Sequence, residues 1–173
     1  MHEHDYLVFR QEKDEFFRTD HHSPLGHGDR SDFDGLSYFE PDLDLVFTVP
    51  VEPGDGAEIN FPTSDGREKV YRTVGTVAFE VDGEPARLTL YDTGHPGLFL
   101  PFRDATSGKT TYGAGRYLDI EPNEDGTVTI DFNLAYNPSC VYADGFSCPI
   151  PPVDNWLQVP IEAGEKSYPS EGS

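Results

Sequence analysis

Positive charge is what this sequence has least of. Its 173 residues include 12 Lys and Arg, only four of them Lys, against 32 Asp and Glu, for a formal charge of −20. Nucleic acid and anionic membrane both demand a positive footprint, so neither is an expected partner. An acidic, lysine-poor surface suits concentrated salt, where screening removes the self-repulsion of a compact polyanion. The chain therefore reads as an acidic, halophilic protein, with an ordinary soluble acidic protein as the rival reading.

Long apolar runs are missing too. No stretch approaches the roughly 20 residues of a spanning helix, and Met1-His-Glu-His-Asp5 has neither the basic nor the apolar region of a signal peptide. The expected location is cytoplasmic. Cysteine is limited to Cys140 and Cys148, too few for a disulfide framework.

Aromatics are plentiful, with 12 Phe and nine Tyr. At this length the chain is expected to form one domain, 1–173, around a compact aromatic core. Tyr6, Phe9, Phe16 and Phe17 recur at helical spacing, interrupted by Lys13, and predict an amphipathic helix over 5–19 with Asp5 as N-cap. Its charged residues Arg10, Glu12, Asp14 and Glu15 are expected in solvent. His21, His22 and His27, with His2 and His4, lie in a Pro/Gly/Asp setting that offers no rigid frame for a metal.

From 36 to 136 the period becomes that of antiparallel strands. Leu43, Leu45, Phe47 and Val49 alternate with polar residues, and 57–61 reads as a short edge strand. Tyr71, Thr73, Gly75, Val77, Phe79 and Val81 are assigned one face. Asp82-Gly83 then turns the chain into Ala86, Leu88 and Leu90. Residues 98–102 form a further strand. Extended chain over 109–120 is expected to return, through a turn at 121–126, as its hairpin partner 127–136. The fold class that follows is mainly β, an antiparallel β-barrel or sandwich with one N-terminal α-helix. A Pro/Cys-rich loop and last strand fill 137–162, and 163–173 is read as a frayed acidic tail.

The predicted hairpin concentrates the chemistry. Leu118 and Ile120 share a face with Arg116, while Tyr117 and Asp119 point the other way. A turn centred on 123–125 sets Tyr117 opposite Asp131 and Gly115 opposite Asn133, and a one-residue slip would separate them. Gly113 and Gly115 permit close backbone approach. The bland rival puts Asp119 and Asp131 in solvent, Arg116 in an ion pair, and Tyr112 and Tyr136 in the core. For Cys140 and Cys148, reduced thiols rank first and a disulfide second. Zinc held with His95 ranks third, because the spacing is not that of structural zinc sites. No motif identifies a cofactor. The calcium-loop flavour of 123–126 fails because Phe132 stands where a bidentate Glu is needed, and Gly108-Lys109-Thr110 lacks the first glycine of a phosphate loop.

The runs TYGAGRYLD, DFNLAYNPSC, CPIPPVDNWL and IEAGE, led by LFLPFRDATSGKTTY, resemble the bacterial and archaeal family known as domain of unknown function 1684. KDEFF, SPLG, FDGLSYFEPD and GTVAFEVDG extend the likeness more loosely. The resemblance singles out Asp104, Thr106, Thr111, Tyr112, Gly115, Arg116, Asp131, Asn133 and Tyr136. Beyond these it marks Asn137, Pro138, Cys140, Cys148, Pro149, Pro152 and Asn155. It implies no established activity.

Three functions compete. The first is binding of a small polar or anionic ligand in a barrel pocket lined by Arg116, Tyr117, Asp131, Asn133, Tyr136, Asn137 and Asn155. The second is a hydrolase or isomerase with Asp131 as base, Tyr112 or Tyr136 as proton donor and Arg116 stabilising negative charge. The third is a structural or interaction module in which Arg116 bonds loop carbonyls.

Overall fold

In a computed structural model that describes residues 3–20, 23, 25, 35–142 and 146–168, the chain is mainly β, with one N-terminal helix and antiparallel sheets. Helix α1 spans Glu3–Thr19. Two strands, β1 (Val46–Pro50) and β8 (Thr127–Asp131), pair as a ribbon. The larger sheet runs β2 (Glu52–Pro53), β4 (Glu68–Val81), β5 (Glu84–Asp92), β6 (Leu98–Phe102) and β7 (Arg116–Ile120), with β3 (Glu58–Pro62) also on β4. No barrel closes among the described residues. The ribbon's Val128 and Ile130 share a core with Val77, Leu88, Leu100 and Leu118 of the large sheet.

The expected β4–β5 hairpin forms around Asp82-Gly83. The single face assigned to β4 does not. A bulge between Thr73 and Gly75 shifts the register, so Val77, Phe79 and Val81 enter the core while Tyr71 and Thr73 pass to the opposite face. At Gly75 a Cβ would collide with the Glu52 carbonyl oxygen and lie 2.7 Å from Val51 Cγ1.

The expected hairpin of 109–120 with 127–136 is also corrected. β7 pairs with β6 and β8 with β1, so Asp131 lies opposite Val46, and Tyr117 opposite Pro101. Between the two stretches the backbone makes the single bridge of Tyr117 with Tyr136, and Pro122 of the expected turn bridges Val128. Residues 106–115 are turns and bridges, not strand. The strand beginning at 127 stops at Asp131, where the Asp131 carboxylate accepts from Asn133 N and starts a 3-10 turn, Phe132–Leu134.

The helix docks by a different stripe from the one expected. Phe9 and Phe16 are exposed, whereas Arg10, expected in solvent, is buried with its guanidinium 4.5 Å from the centre of the Tyr38 ring. Tyr6, Arg10, Lys13 and Phe17 recur every three to four residues, and each reaches a different segment: Asp131, Tyr38, Glu165 and Tyr142 respectively. Asp5 falls inside the first turn of a helix that already begins at Glu3.

The chain beyond 162 is no frayed tail in its described part. Ala163 and Glu165 are buried, and the backbone of 164–167 bonds to Phe39, Ala135, Ser37 and Thr110. Leu157 and Ile161 pack on the core without forming a last strand. His2, His21, His22 and His27 lie outside the described residues, as do 169–173 of the expected tail.

Candidate functional site

The residues singled out from the sequence divide into a buried clasp and an open cleft. Arg116 stands at the centre of the clasp. It is 1% exposed, and its guanidinium donates to the Ala163 carbonyl, to Ile161 O at 3.0 Å and to Glu165 O at 3.1 Å. Asp104 Oδ1 lies 3.5 Å away, and Arg116 Nε has no partner among the described residues. Burial lowers the Arg116 pKa and the Asp104 carboxylate opposes that shift; an arginine keeps its charge regardless. Asp104 itself accepts from Ile161 N at 2.6 Å and from the Thr106 hydroxyl at 2.7 Å, and Thr106 meets Thr111 at 2.9 Å. Gly115 lets this segment close, since a Cβ there would lie 2.5 Å from Phe102 O. Gly113 has only ordinary contacts at the same test.

Two asparagines act as clips. Asn133 accepts from Asp42 N at 2.8 Å and donates to Asp42 O at 2.9 Å, mimicking a strand partner. Asn155 treats Thr89 alike, at 2.8 and 2.9 Å, and also donates to Pro101 O at 2.8 Å. Asn137 ties Lys166 O and the Tyr142 hydroxyl, leaving its Oδ1 without a partner among the described residues. Asp131 accepts the Tyr6 hydroxyl at 2.5 Å. The Tyr112 hydroxyl lies 4.0 Å from Cys140 Sγ, and burial, then the Cys140 thiol, raises its pKa. Arg116, Asp131 and Tyr112 are not among the residues that line the cleft, whereas Tyr136, the other expected proton donor, does line it.

The cleft has a volume of about 660 Å³ and lies on the face of the large sheet away from the main core. The register places Tyr71, Phe99 and Tyr117 on that face, and Tyr136 extends the row across its bridge to Tyr117. Successive ring centroids are 5.8, 4.8 and 5.8 Å apart, all edge-to-face. Ser139, Phe146, Cys148 and Pro149 of the Pro/Cys-rich loop close one side. That loop is fastened by the Tyr117 hydroxyl donating to the Pro149 carbonyl and by Ile150 N donating to Pro62 O at 2.9 Å. The Tyr136 hydroxyl donates to the Asp119 carboxylate at 2.9 Å. Burial pushes the Tyr117 and Tyr136 pKa values up, helped at Tyr136 by the Asp119 charge.

Of the ligand-binding residues expected from sequence, Tyr117 and Tyr136 line the cleft; it is also lined by Lys69, Tyr71 and Phe99, which were missed, and by His95, named only as a zinc candidate. The bulge at Val74 hid Tyr71, and the distant pairing of β6 hid Phe99. Lys69 Nζ donates to Ser147 O at 2.8 Å and has no carboxylate partner among the described residues. Cys140 and Cys148 are free thiols, with Cys140 N donating to Cys148 Sγ at 3.3 Å. Burial pushes the Cys148 thiol up to about 11, which disfavours the thiolate a nucleophile or metal ligand needs. His95 lines the same cleft as Cys148, but among the described residues no three His, Cys, Asp or Glu side chains converge as a metal set. No described helix is long and apolar enough to cross a membrane.

A family model described as Protein of unknown function (DUF1684) matches residues 31–166. Among solved structures, the chain is similar to the solution NMR structure of an uncharacterized protein of Haloarcula marismortui. The two are 42% identical over 95% of this chain and 94% of that one, with a TM-score of 0.72. Comparison with curated proteins gives no match.

Proposed function

We propose, for a chain that belongs to the family described as Protein of unknown function (DUF1684), that it binds a small anionic ligand in the aromatic-walled cleft. The observation that carries this reading is Lys69. It is an ammonium without a carboxylate partner among the described residues, set beside His95 in a cleft of a chain whose formal charge is −20. A local positive site in so negative a molecule focuses an anion there. Mostly apolar walls with a few convergent polar groups are the usual make-up of a ligand pocket. The sandwich-like packing of ribbon on sheet covers one face of the large sheet and leaves this second face to the cleft and its loop.

The module reading keeps one specific support, since Arg116 bonds the carbonyls of the C-terminal strap. The dense family motif therefore serves the frame around the cleft. A saline cytoplasm is the proposed setting, consistent with the acidic surface and with cysteines that stay reduced.

The test is a thermal-shift screen of simple anions, benzoate and phosphate among them, in concentrated KCl. A ligand at 100 times its Kd adds about 2.7 kcal/mol to native stability. At least one anion is expected to raise Tm in the wild type and to lose that effect in Lys69→Met. A screen in which nothing shifts Tm, or in which the shift survives Lys69→Met, removes the proposal.

A further inference from the structure

The cleft does not end at the loop. Tyr136, Ser139 and Phe146 line both the cleft and a second hollow of about 270 Å³, whose other wall includes Lys13 and Phe16 of the helix. Tyr136 and Lys13 carry the surface on to an open hollow of about 490 Å³ that reaches Phe9 and Glu12. By these shared walls the three hollows adjoin as one trough running from β4 to the stretch of α1 between Phe9 and Phe17. Exposed apolar residues follow it. Phe9, Phe16 and Phe146 are the exposed phenylalanines among the described residues, and all three line the trough. Scattered exposed apolar residues are ordinary, but a contiguous row marks a binding surface.

Charge is uneven along the trough. Lys69 and His95 line the cleft section, whereas Glu12 and Asp119 line the far section. Between them the Lys13 ammonium is paired with Glu165 and the Tyr136 hydroxyl with Asp119. An anionic head is therefore drawn to one end and repelled at the other. A sugar chain would require free hydrogen-bonding partners along the middle section, where these two groups are already engaged.

Building on the anion-binding reading of the cleft, we infer that the occupant is a single-chain amphiphile. Its carboxylate or similar anionic head sits at Lys69 and His95, and its hydrocarbon tail lies along Tyr136, Phe146 and Phe16. Alternate wetting of the exposed rings ends when the tail covers them, so affinity grows with tail length.

Isothermal titration of the full chain in concentrated KCl with sodium butanoate, hexanoate, octanoate and decanoate, each below its micellar concentration, tests this. Kd is expected to fall about two- to threefold per added methylene, as an open trough buries each one only in part. Phe146→Ser, at an exposed position outside the buried core, flattens this slope. Lys69→Met weakens all four alkanoates by a similar factor. A Kd independent of chain length, or a slope unaltered in Phe146→Ser, overturns the amphiphile while leaving an anion-binding cleft that still takes benzoate. Failure of benzoate and every alkanoate removes both readings, and equal binding of decyltrimethylammonium overturns the anionic head.

Discussion

At the scale of single residues, the sequence displays donors and acceptors but not the backbone they will meet. Arg116, Asn133, Asn137 and Asn155 are legible as an unusual concentration of polar chemistry, and their burial explains why they recur in a motif: a buried polar group must be partnered. Their partners lie at Ala163, Asp42, Lys166 and Thr89, too far along the chain for spacing to suggest. Arg116→Met follows from this. The substitution keeps much of the volume but strips the carbonyls of Ile161, Ala163 and Glu165 of their donor and leaves Asp104 without its cation. Breaking a buried charged pair by removing one partner costs about 3–5 kcal/mol. Urea denaturation in high salt is expected to show a loss of that order, with earlier proteolytic release of the C-terminal strap. A change below about 1 kcal/mol is what an exposed position gives, and it would refute the clasp.

At the scale of elements, local signals were readable and partner choice was not. The β4–β5 hairpin is legible because its turn and both strands lie within one short stretch. β7 and β8 are also consecutive, and consecutive strands pair more often than not, yet β7 pairs with β6 in the large sheet and β8 with β1 in the ribbon. The helix is legible in extent. Its buried stripe is not, because Lys13 and Arg10 look like surface residues until Glu165 and the Tyr38 ring are placed beside them. The β4 bulge defeats alternation in the same way, by inserting one residue into a clean pattern of two. Gly75 gives the bulge a test. In Gly75→Ala the new methyl group meets backbone at Glu52, which cannot swing aside as a side chain would. A cost of about 1–3 kcal/mol is expected, as for overpacking elsewhere, with faster hydrogen exchange at the Gly54 amide that bonds Val74 O. An unchanged denaturation midpoint would mean that β2 does not press on the bulge.

At the scale of the whole molecule, charge is the dominant fact, and composition alone made it visible. The ion pairs at Arg18, Arg67, Arg72 and Arg87 involve side chains 43–80% exposed on the arginine side, and such pairs contribute little. They do not offset a formal charge of −20. Self-repulsion should therefore limit stability in dilute buffer and fade as the Debye length falls from about 10 Å at 0.1 M to about 3 Å at 1 M salt. Tm measured in KCl at pH 8 is expected to climb steeply over that range. At pH 8 the buried Tyr6 and Tyr142 and the half-buried Tyr38, their pKa values raised first of all by burial, remain neutral in the folded and unfolded chain alike. They contribute pH-dependent stability that is complete below about pH 10, where a free tyrosine begins to ionise. The decisive control is pH 5, close to the sequence pI of about 4.3, where carboxylates take up protons and the net charge shrinks. If repulsion is the cause, the same KCl series gives a smaller gain there; an equal gain at both pH values would assign the effect to hydration and to strengthened apolar burial instead.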